Sequence, residues 1–182
     1  MDALKQYTPF FIFLVKFFAV YAGLTLVYQI YLNSFEVSRF ETDDFTRSVA
    51  VQTKWFTDRL GYLTEIKPHV SQPSVMFILE GKYVSRVVEG CNALSVIILF
   101  SAFVVAFKGS WKKTILFILA GAFVIHILNI MRIGLLSIAL LHYPEHEHIL
   151  HGVIFPAVIY GVVFLLWIVW VNKFSSHGFK ER

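Results

Sequence analysis

The sequence contains a single cysteine, Cys91, among its 182 residues. One thiol cannot close a disulfide within the chain, so a disulfide-bonded scaffold is excluded and the thiol is either a packing group or a reactive one. Internal repeats and low-complexity tracts are also absent. The pI is near 9.2, but the basic residues lie in short clusters beside apolar runs. That distribution is typical of membrane topology and not of nucleic-acid binding, so no nucleic-acid partner is expected.

Apolar residues dominate what is present. The hydrophobic fraction is 57%, Phe occurs 19 times and the mean hydropathy is +0.67, all above the values of an ordinary soluble domain. A chain of this length corresponds to about one domain. We therefore expect residues 1–182 to form a single domain embedded in a lipid bilayer.

Four apolar segments are long enough, or nearly so, to cross a bilayer core of about 30 Å. They cover residues 9–32, 91–107, 114–143 and 149–171. The first continues well past the apolar core of about 7 to 15 residues in a signal peptide, so we interpret it as a span. The third is too long for one untilted crossing and must tilt, break or leave the membrane early. The predicted fold class is an all-α polytopic membrane protein with about four transmembrane helices.

Lysine and arginine indicate the orientation. Outside residues 33–90 they cluster at Lys5, at the turn with Lys108, Lys112 and Lys113, and in the C-terminal tail with Lys173, Lys180 and Arg182. In a four-span arrangement these clusters share one side, which the positive-inside rule assigns to the cytoplasm. Both termini are then cytoplasmic, and residues 33–90 form an extracytoplasmic segment.

The extracytoplasmic segment has two predicted elements. After the helix caps Asp43 and Asp44, apolar residues recur at near-helical spacing until Gly61, at Phe45, Val49, Trp55, Phe56 and Leu60. We interpret this stretch as an amphipathic helix lying on the outer leaflet. Residues 74–80 and 83–89 flank Gly81 and Lys82, which predicts a short β-hairpin before the second span.

Three polar residues are predicted to lie at one depth. Cys91 begins the second span at the outer membrane boundary, and His151 begins the fourth span at the same boundary. Arg132 lies 18 residues beyond Thr114, which is roughly 27 Å along a helix and again close to the outer boundary. Three spans thus each bring one chemically active side chain to the same layer.

Neighbouring polar residues support a functional role for Cys91, Arg132 and His151. His126, Asn129 and Arg132 recur every third residue and form one polar stripe that should face the interior of the helix bundle. Asn92 is a helix-capping residue type next to Cys91. A thiol needs a base or a nearby positive charge to become a nucleophile. His151 is suited to take the thiol proton, and Arg132 to stabilise the thiolate or an oxyanion.

Each residue also has a purely structural interpretation. A lone cysteine at an apolar helix start is commonly a small packing group. An arginine near the interface can extend its guanidinium to lipid head groups, and a histidine there can serve as an interfacial or capping residue.

The motifs EGCNALSV, NIMRI and HGVIFP each stand at the outer end of a predicted span. Together they resemble the exosortase/archaeosortase family, from about Tyr83 to Trp170, and the short architecture is most similar to the exosortase F type of Gram-negative bacteria. The resemblance implies a multispanning cysteine enzyme with Cys91, Arg132 and His151 as its catalytic residues. Ala93 stands where the family often has glycine.

The resemblance also implies substrates, location and products. The substrates would be exported proteins with a C-terminal sorting tail, cleaved at the periplasmic face of the bacterial inner membrane. A thioester intermediate would pass to an amine acceptor on a surface molecule or to water. No cofactor is implied.

Two alternatives come from other residues. The segment HYPEHEHILH, residues 142–151, has a composition that could bind zinc in a membrane protease or a metal transporter, although the His-Glu-x-x-His pattern fails at Leu150. A non-catalytic assembly protein would instead use Arg132 and His126 as interhelical hydrogen-bonding partners.

Overall fold

The computed structural model describes residues 7–35, 40–107 and 109–175. Its main helices are α1 (Thr8–Leu32), α2 (Asp44–Arg59), α3 (Leu94–Ala106), α4 (Trp111–His142) and α5 (Phe155–Lys173). Within these described ranges, three helical stretches are long and apolar enough to cross a membrane: α1, α4 and the run from Pro144 to the end of α5. The 13 residues of α3 span only about 20 Å, less than a full crossing. The all-α polytopic fold is confirmed. The helix of the second span, α3, is shorter than the apolar segment 91–107 that predicted it.

Aromatic contacts and one backbone bridge show which helix ends share a side of the bundle. The ring of Phe13, near the start of α1, lies 4.7 Å from that of Phe107, just after α3. Gly109, just before α4, forms an isolated β-bridge with Ser175, just after α5. The start of α1, the α3–α4 turn and the end of α5 therefore lie at one end. Lys5, Lys108, Lys180 and Arg182, which the orientation argument used, lie outside the described residues.

Helix α4 is the longest element. The third span, predicted to tilt, break or leave the membrane early, is one continuous helix of 32 residues, about 48 Å long against a bilayer core of about 30 Å. The part of α4 that extends beyond the bundle packs against α2 and the small sheet. Ile133 belongs to the hydrophobic cluster that these outer elements share. A single rigid helix thus connects the membrane bundle to the outer segment.

The outer segment contains α2 and a three-stranded antiparallel sheet of order β1-β2-β3, with β1 (Thr64–Pro68), β2 (Ser74–Leu79) and β3 (Lys82–Val88). Strands β2 and β3 form the predicted hairpin. Its two-residue turn has positive φ at both positions, 51° at Glu80 and 73° at Gly81, the geometry that matches strand twist. Strand β1 was not predicted.

The predicted amphipathic helix is confirmed in its bounds. The Asp43 side chain accepts a hydrogen bond from the Thr46 N–H at 2.9 Å, and Gly61 follows the C-cap with φ 92°. Its buried face contains the predicted Val49 but otherwise differs from the predicted apolar set. The buried residues are Thr46, Val49, Ala50, Thr53 and Thr57. Trp55 and Leu60 are 60% and 49% exposed, because the side of α2 that packs on the sheet and α4 is the threonine-rich one.

The last span begins with a sequence of irregular turns. A 3₁₀ turn (Pro144–His146) and one helical turn (Glu147–Ile149) precede a π-helical turn (Leu150–Ile154), and α5 then starts at Phe155. Pro156 lies in the first turn of α5, directly after this π-helical turn. The π-helical turn carries His151, and such turns are frequent at functional sites.

Candidate active site

One cavity of ≈ 500 Å³ is lined by Cys91, Arg132 and His151 together. The rest of its wall comes from β3, from the outer part of α4 and from Glu147. These lining residues are Tyr83, Val84, Ser85, Arg86 and Val88 of β3 and Ile133, Leu136, Ser137 and Leu140 of α4. The structure thus brings together the three residues for which the sequence predicts a shared depth.

Cys91 ends the 3₁₀ turn that follows β3. Its carbonyl oxygen accepts a hydrogen bond from the Asn129 side-chain amide at 2.7 Å. The same Asn129 side chain, fully buried, accepts a hydrogen bond from Arg132 Nη1 at 3.4 Å. Asn129 therefore holds the cysteine backbone and the guanidinium together, and the pair is fixed to one turn of α4.

Asn92 fixes the same segment from the opposite side. Its amide nitrogen donates hydrogen bonds to the Tyr28 hydroxyl of α1 and the Thr46 hydroxyl of α2, both at 3.0 Å. Its amide oxygen accepts from the Leu94 N–H at the start of α3, at 2.9 Å. Since Asn92 is 1% exposed, these bonds are made away from water. Ala93, which follows, has φ 66°, in the left-handed region.

His126 belongs to the predicted polar stripe but does not line the cavity. Its Nε2 is hydrogen-bonded to Gln52 Oε1 of α2 at 2.8 Å. The three residues of the predicted stripe therefore have different partners. His126 joins α4 to α2, whereas Asn129 and Arg132 belong to the site.

His151 is exposed at the mouth of the cavity, on the π-helical turn. Glu147 lies four residues earlier and lines the same cavity. Sequence reasoning missed Glu147 as a site residue, although its i, i+4 spacing to His151 would place both on one helical face. The β3 residues of the wall were missed too, because nothing in their sequence indicates which sheet edge meets α4.

The histidine-rich segment has scattered contacts. His142 Nε2 lies 3.3 Å from the Tyr62 hydroxyl, and His146 Nδ1 lies 3.2 Å from Glu145 Oε1. Within residues 7–35, 40–107 and 109–175, no group of three or more His, Cys, Asp or Glu side chains is arranged to hold a metal ion. The structure supplies no specific support for the metal-dependent alternative.

The cavity combines a thiol, an imidazole, a guanidinium and a carboxylate. A thiol and an imidazole are the groups that acyl transfer through a thioester requires, and a guanidinium is a suitable donor for developing negative charge. The backbone around the thiol is fixed by two buried amides, which favours a defined attack geometry. The arrangement is therefore suited to cleavage of a peptide or ester bond by a cysteine.

Three comparisons with known proteins were made. Comparison with curated proteins and with solved structures finds no match. The family model described as Transmembrane exosortase matches residues 5–171. Because this match covers most of the chain, the protein belongs to the transmembrane exosortase family.

Proposed function

We propose that this exosortase is a cysteine protease or transpeptidase that cleaves C-terminal sorting tails of exported proteins. Family membership implies membrane protease or transpeptidase activity at the level of the family. The observation that carries the cysteine mechanism is that Cys91, Arg132 and His151 line one cavity. They come from three separate parts of the chain, so their convergence is a property of the fold.

The proposed reaction has two steps. His151 takes the proton of the Cys91 thiol while the sulfur attacks the carbonyl carbon of the scissile peptide bond. The tetrahedral intermediate collapses, the C–N bond breaks, and the leaving amine receives the proton from His151. In the second step an amine or a water molecule, deprotonated by His151, attacks the thioester, and the Cys91 sulfur leaves and regains a proton.

Arg132 stabilises charge in this scheme. Its Nη1 is bonded to Asn129, while its Nε is buried and has no hydrogen-bond partner within the described residues. A buried unpaired donor is costly unless a ligand supplies an acceptor. The oxyanion of the tetrahedral intermediate is such an acceptor, and removing one oxyanion donor typically costs about 10²- to 10³-fold in rate.

The place of the cavity supports the substrate class. The cavity lies between the small outer sheet and the outer part of α4, above the apolar bundle. A peptide bond just outside a spanning helix would reach this level, and confining enzyme and tail to one membrane raises their effective concentration. We assign the chain to the bacterial inner membrane because the family resemblance implies that location. By the positive-inside rule, we place the cavity on the periplasmic side and both termini in the cytoplasm.

The test compares the C-terminal masses of exported proteins in cells that carry the native enzyme, Cys91→Ala, His151→Ala or His148→Ala. We expect uncut tails in the first two variants and native processing in His148→Ala, since His148 does not line the cavity. Processing at the native rate in Cys91→Ala would overturn the nucleophile assignment. The masses also distinguish hydrolysis from attachment to an acceptor.

A further inference from the structure

The two edges of the outer sheet differ in how their backbone groups are satisfied. On the β1 edge, the Thr64 N–H donates to Asp58 Oδ1 at 3.2 Å, and the Thr64 carbonyl accepts from Lys54 Nζ at 2.7 Å. Both partners belong to α2. The rest of β1 carries a Glu65–Lys67 ion pair and Pro68, and charges and proline are devices that discourage strand pairing. The β1 edge is therefore closed.

The β3 edge is open. Among the described residues, β2 is the single strand that pairs with β3. Every second residue of an edge strand directs its backbone N–H and C=O away from the sheet. In the part of the chain that the structure describes, no hydrogen bond joins the β3 backbone to any element other than β2. Ser85 reaches Ser137 of α4 at 2.8 Å, but through its side chain. Unpaired backbone groups therefore remain along β3.

The open edge and the proposed nucleophile share one cavity. Residues 83–86 and Val88 line the cavity that Cys91, Arg132 and His151 line. Only Glu89 and Gly90 separate Val88, the end of β3, from Cys91. An extended peptide beside β3, advancing about 3.3 Å per residue, would thus be led directly to the thiol.

We propose that the residues preceding the scissile bond bind β3 as an added strand, parallel to it. This inference rests on the proposed function, which supplies the occupant: a polypeptide tail that ends in a spanning helix. Strand β3 runs from the hairpin tip toward Cys91 and the bundle. Such a tail runs from its exported domain toward the membrane, in the same direction. Backbone hydrogen bonds then supply affinity, and alternate side chains supply specificity.

The experiment uses disulfide cross-linking, which joins only residues whose Cβ atoms are about 3.5 to 4.5 Å apart. The enzyme carries Cys91→Ala with either Arg86→Cys or Val88→Cys, two residues apart on β3. The partner is an exported protein whose C-terminal mass changes in Cys91→Ala cells, with single cysteines placed along its tail. Matched controls place the cysteine on the closed edge, at Glu65→Cys or Lys67→Cys.

For a parallel strand, the tail position that cross-links best moves two residues toward the C-terminus when the enzyme cysteine moves from position 86 to 88. The β1 controls should form no cross-link. Should Val88→Cys fail to fold, Ser85→Cys replaces it, and the expected shift from 85 to 86 is one residue. This second pair keeps the register measurable.

The outcomes separate the two proposals. If Cys91→Ala changes no exported C-terminus, the proposed function is overturned, and strand addition with it. If processing requires Cys91 but the cross-linked position does not follow the enzyme cysteine, strand addition alone is overturned. A shift toward the N-terminus shows an antiparallel strand and overturns the parallel orientation.

Discussion

At the scale of single residues, two buried asparagines determine where the thiol lies. Asn129 uses its amide nitrogen on the Cys91 carbonyl and its amide oxygen on Arg132. Asn92 uses its nitrogen on Tyr28 and Thr46 and its oxygen on the Leu94 N–H. Both positions need a donor and an acceptor in one short side chain, which a carboxylate cannot offer. Asn92 and Asn129 are therefore positioning residues, and each needs a side-chain amide to make its hydrogen bonds.

The neighbouring Ala93 leads to a prediction about stability. Its φ of 66° is a left-handed conformation that costs a non-glycine residue roughly 1–2 kcal/mol. Ala93→Gly should therefore stabilise the protein by about 1 kcal/mol, measured by unfolding in detergent. The matched control is Ala102→Gly inside α3, which should destabilise by about 1 kcal/mol or more. If both variants lose stability, the strained geometry assigned to Ala93 is wrong.

At the scale of elements, local patterns predicted much of the structure. The helix caps at Asp43 and Gly61 predicted the bounds of α2, and the two stretches that flank Gly81 predicted the β2–β3 hairpin. What failed depends on long-range packing. The apolar spacing marked Val49, which is fully buried, but also Trp55, which is exposed, and it missed the buried threonines of α2. Strand β1 is short and polar, and it forms because β2 and α2 offer partners.

The crossing of α2 and α4 yields a second prediction. A Cβ on Gly134 would lie 2.6 Å from Phe56 Cδ1 and 3.2 Å from Thr57 Cγ2 of α2. Gly134→Ala should therefore force the two helices apart and cost about 1–3 kcal/mol. Gly161→Ala in α5 is the control, because nothing lies within 4 Å of its Cβ position. Removing the ring with Phe56→Ala should recover part of the loss in the double variant, and strict additivity would contradict the proposed contact.

The α2–β1 junction gives a prediction about pH. Desolvation raises the pKa of Asp58, but hydrogen bonds from Lys54 and Thr64 outweigh it and hold the pKa below its usual 3.8. A carboxylate whose pKa is lowered in the folded state stabilises the protein at pH values above its unfolded pKa of about 3.9. This stabilisation is lost as the pH falls through the folded-state pKa. Asp58→Asn should therefore destabilise at pH 7 by a few tenths of a kcal/mol, because the pair is exposed, and should equal the native protein at strongly acidic pH.

Unfolding in detergent from pH 7 to pH 2 measures this difference. Lys54→Met is the companion variant, since Lys54 Nζ donates to both Asp58 and the Thr64 carbonyl. It should shrink the pH dependence that Asp58 contributes. A difference between native protein and Asp58→Asn that persisted unchanged at the acidic end would show that the carboxylate charge is not what stabilises the junction.

At the scale of the whole molecule, the site lies where the outer sheet meets the membrane bundle, with α4 running through both. The rise per residue of a helix predicts that Cys91, Arg132 and His151 share a level, and the three residues line one cavity. It could not predict the cavity wall, because Glu147 and β3 reach the site only through the π-helical turn and the sheet packing on α4. The depth of a residue can be calculated from a single helix, whereas the wall of a cavity depends on how several helices and strands pack together.

That assembly makes orientation testable with two exposed lysines. Lys82 begins β3 at the hairpin tip, and Lys112 lies in the first turn of α4, at the bundle end that also holds Ser175. In a Cys91→Ala background, a membrane-impermeant maleimide should label Lys82→Cys in intact spheroplasts and Lys112→Cys only after permeabilisation. The physical reason is that lysines and arginines in short loops beside a span are retained on the cytoplasmic side. The opposite pattern would place the cavity in the cytoplasm, where an exported tail could not reach it, and would remove the proposed substrate class.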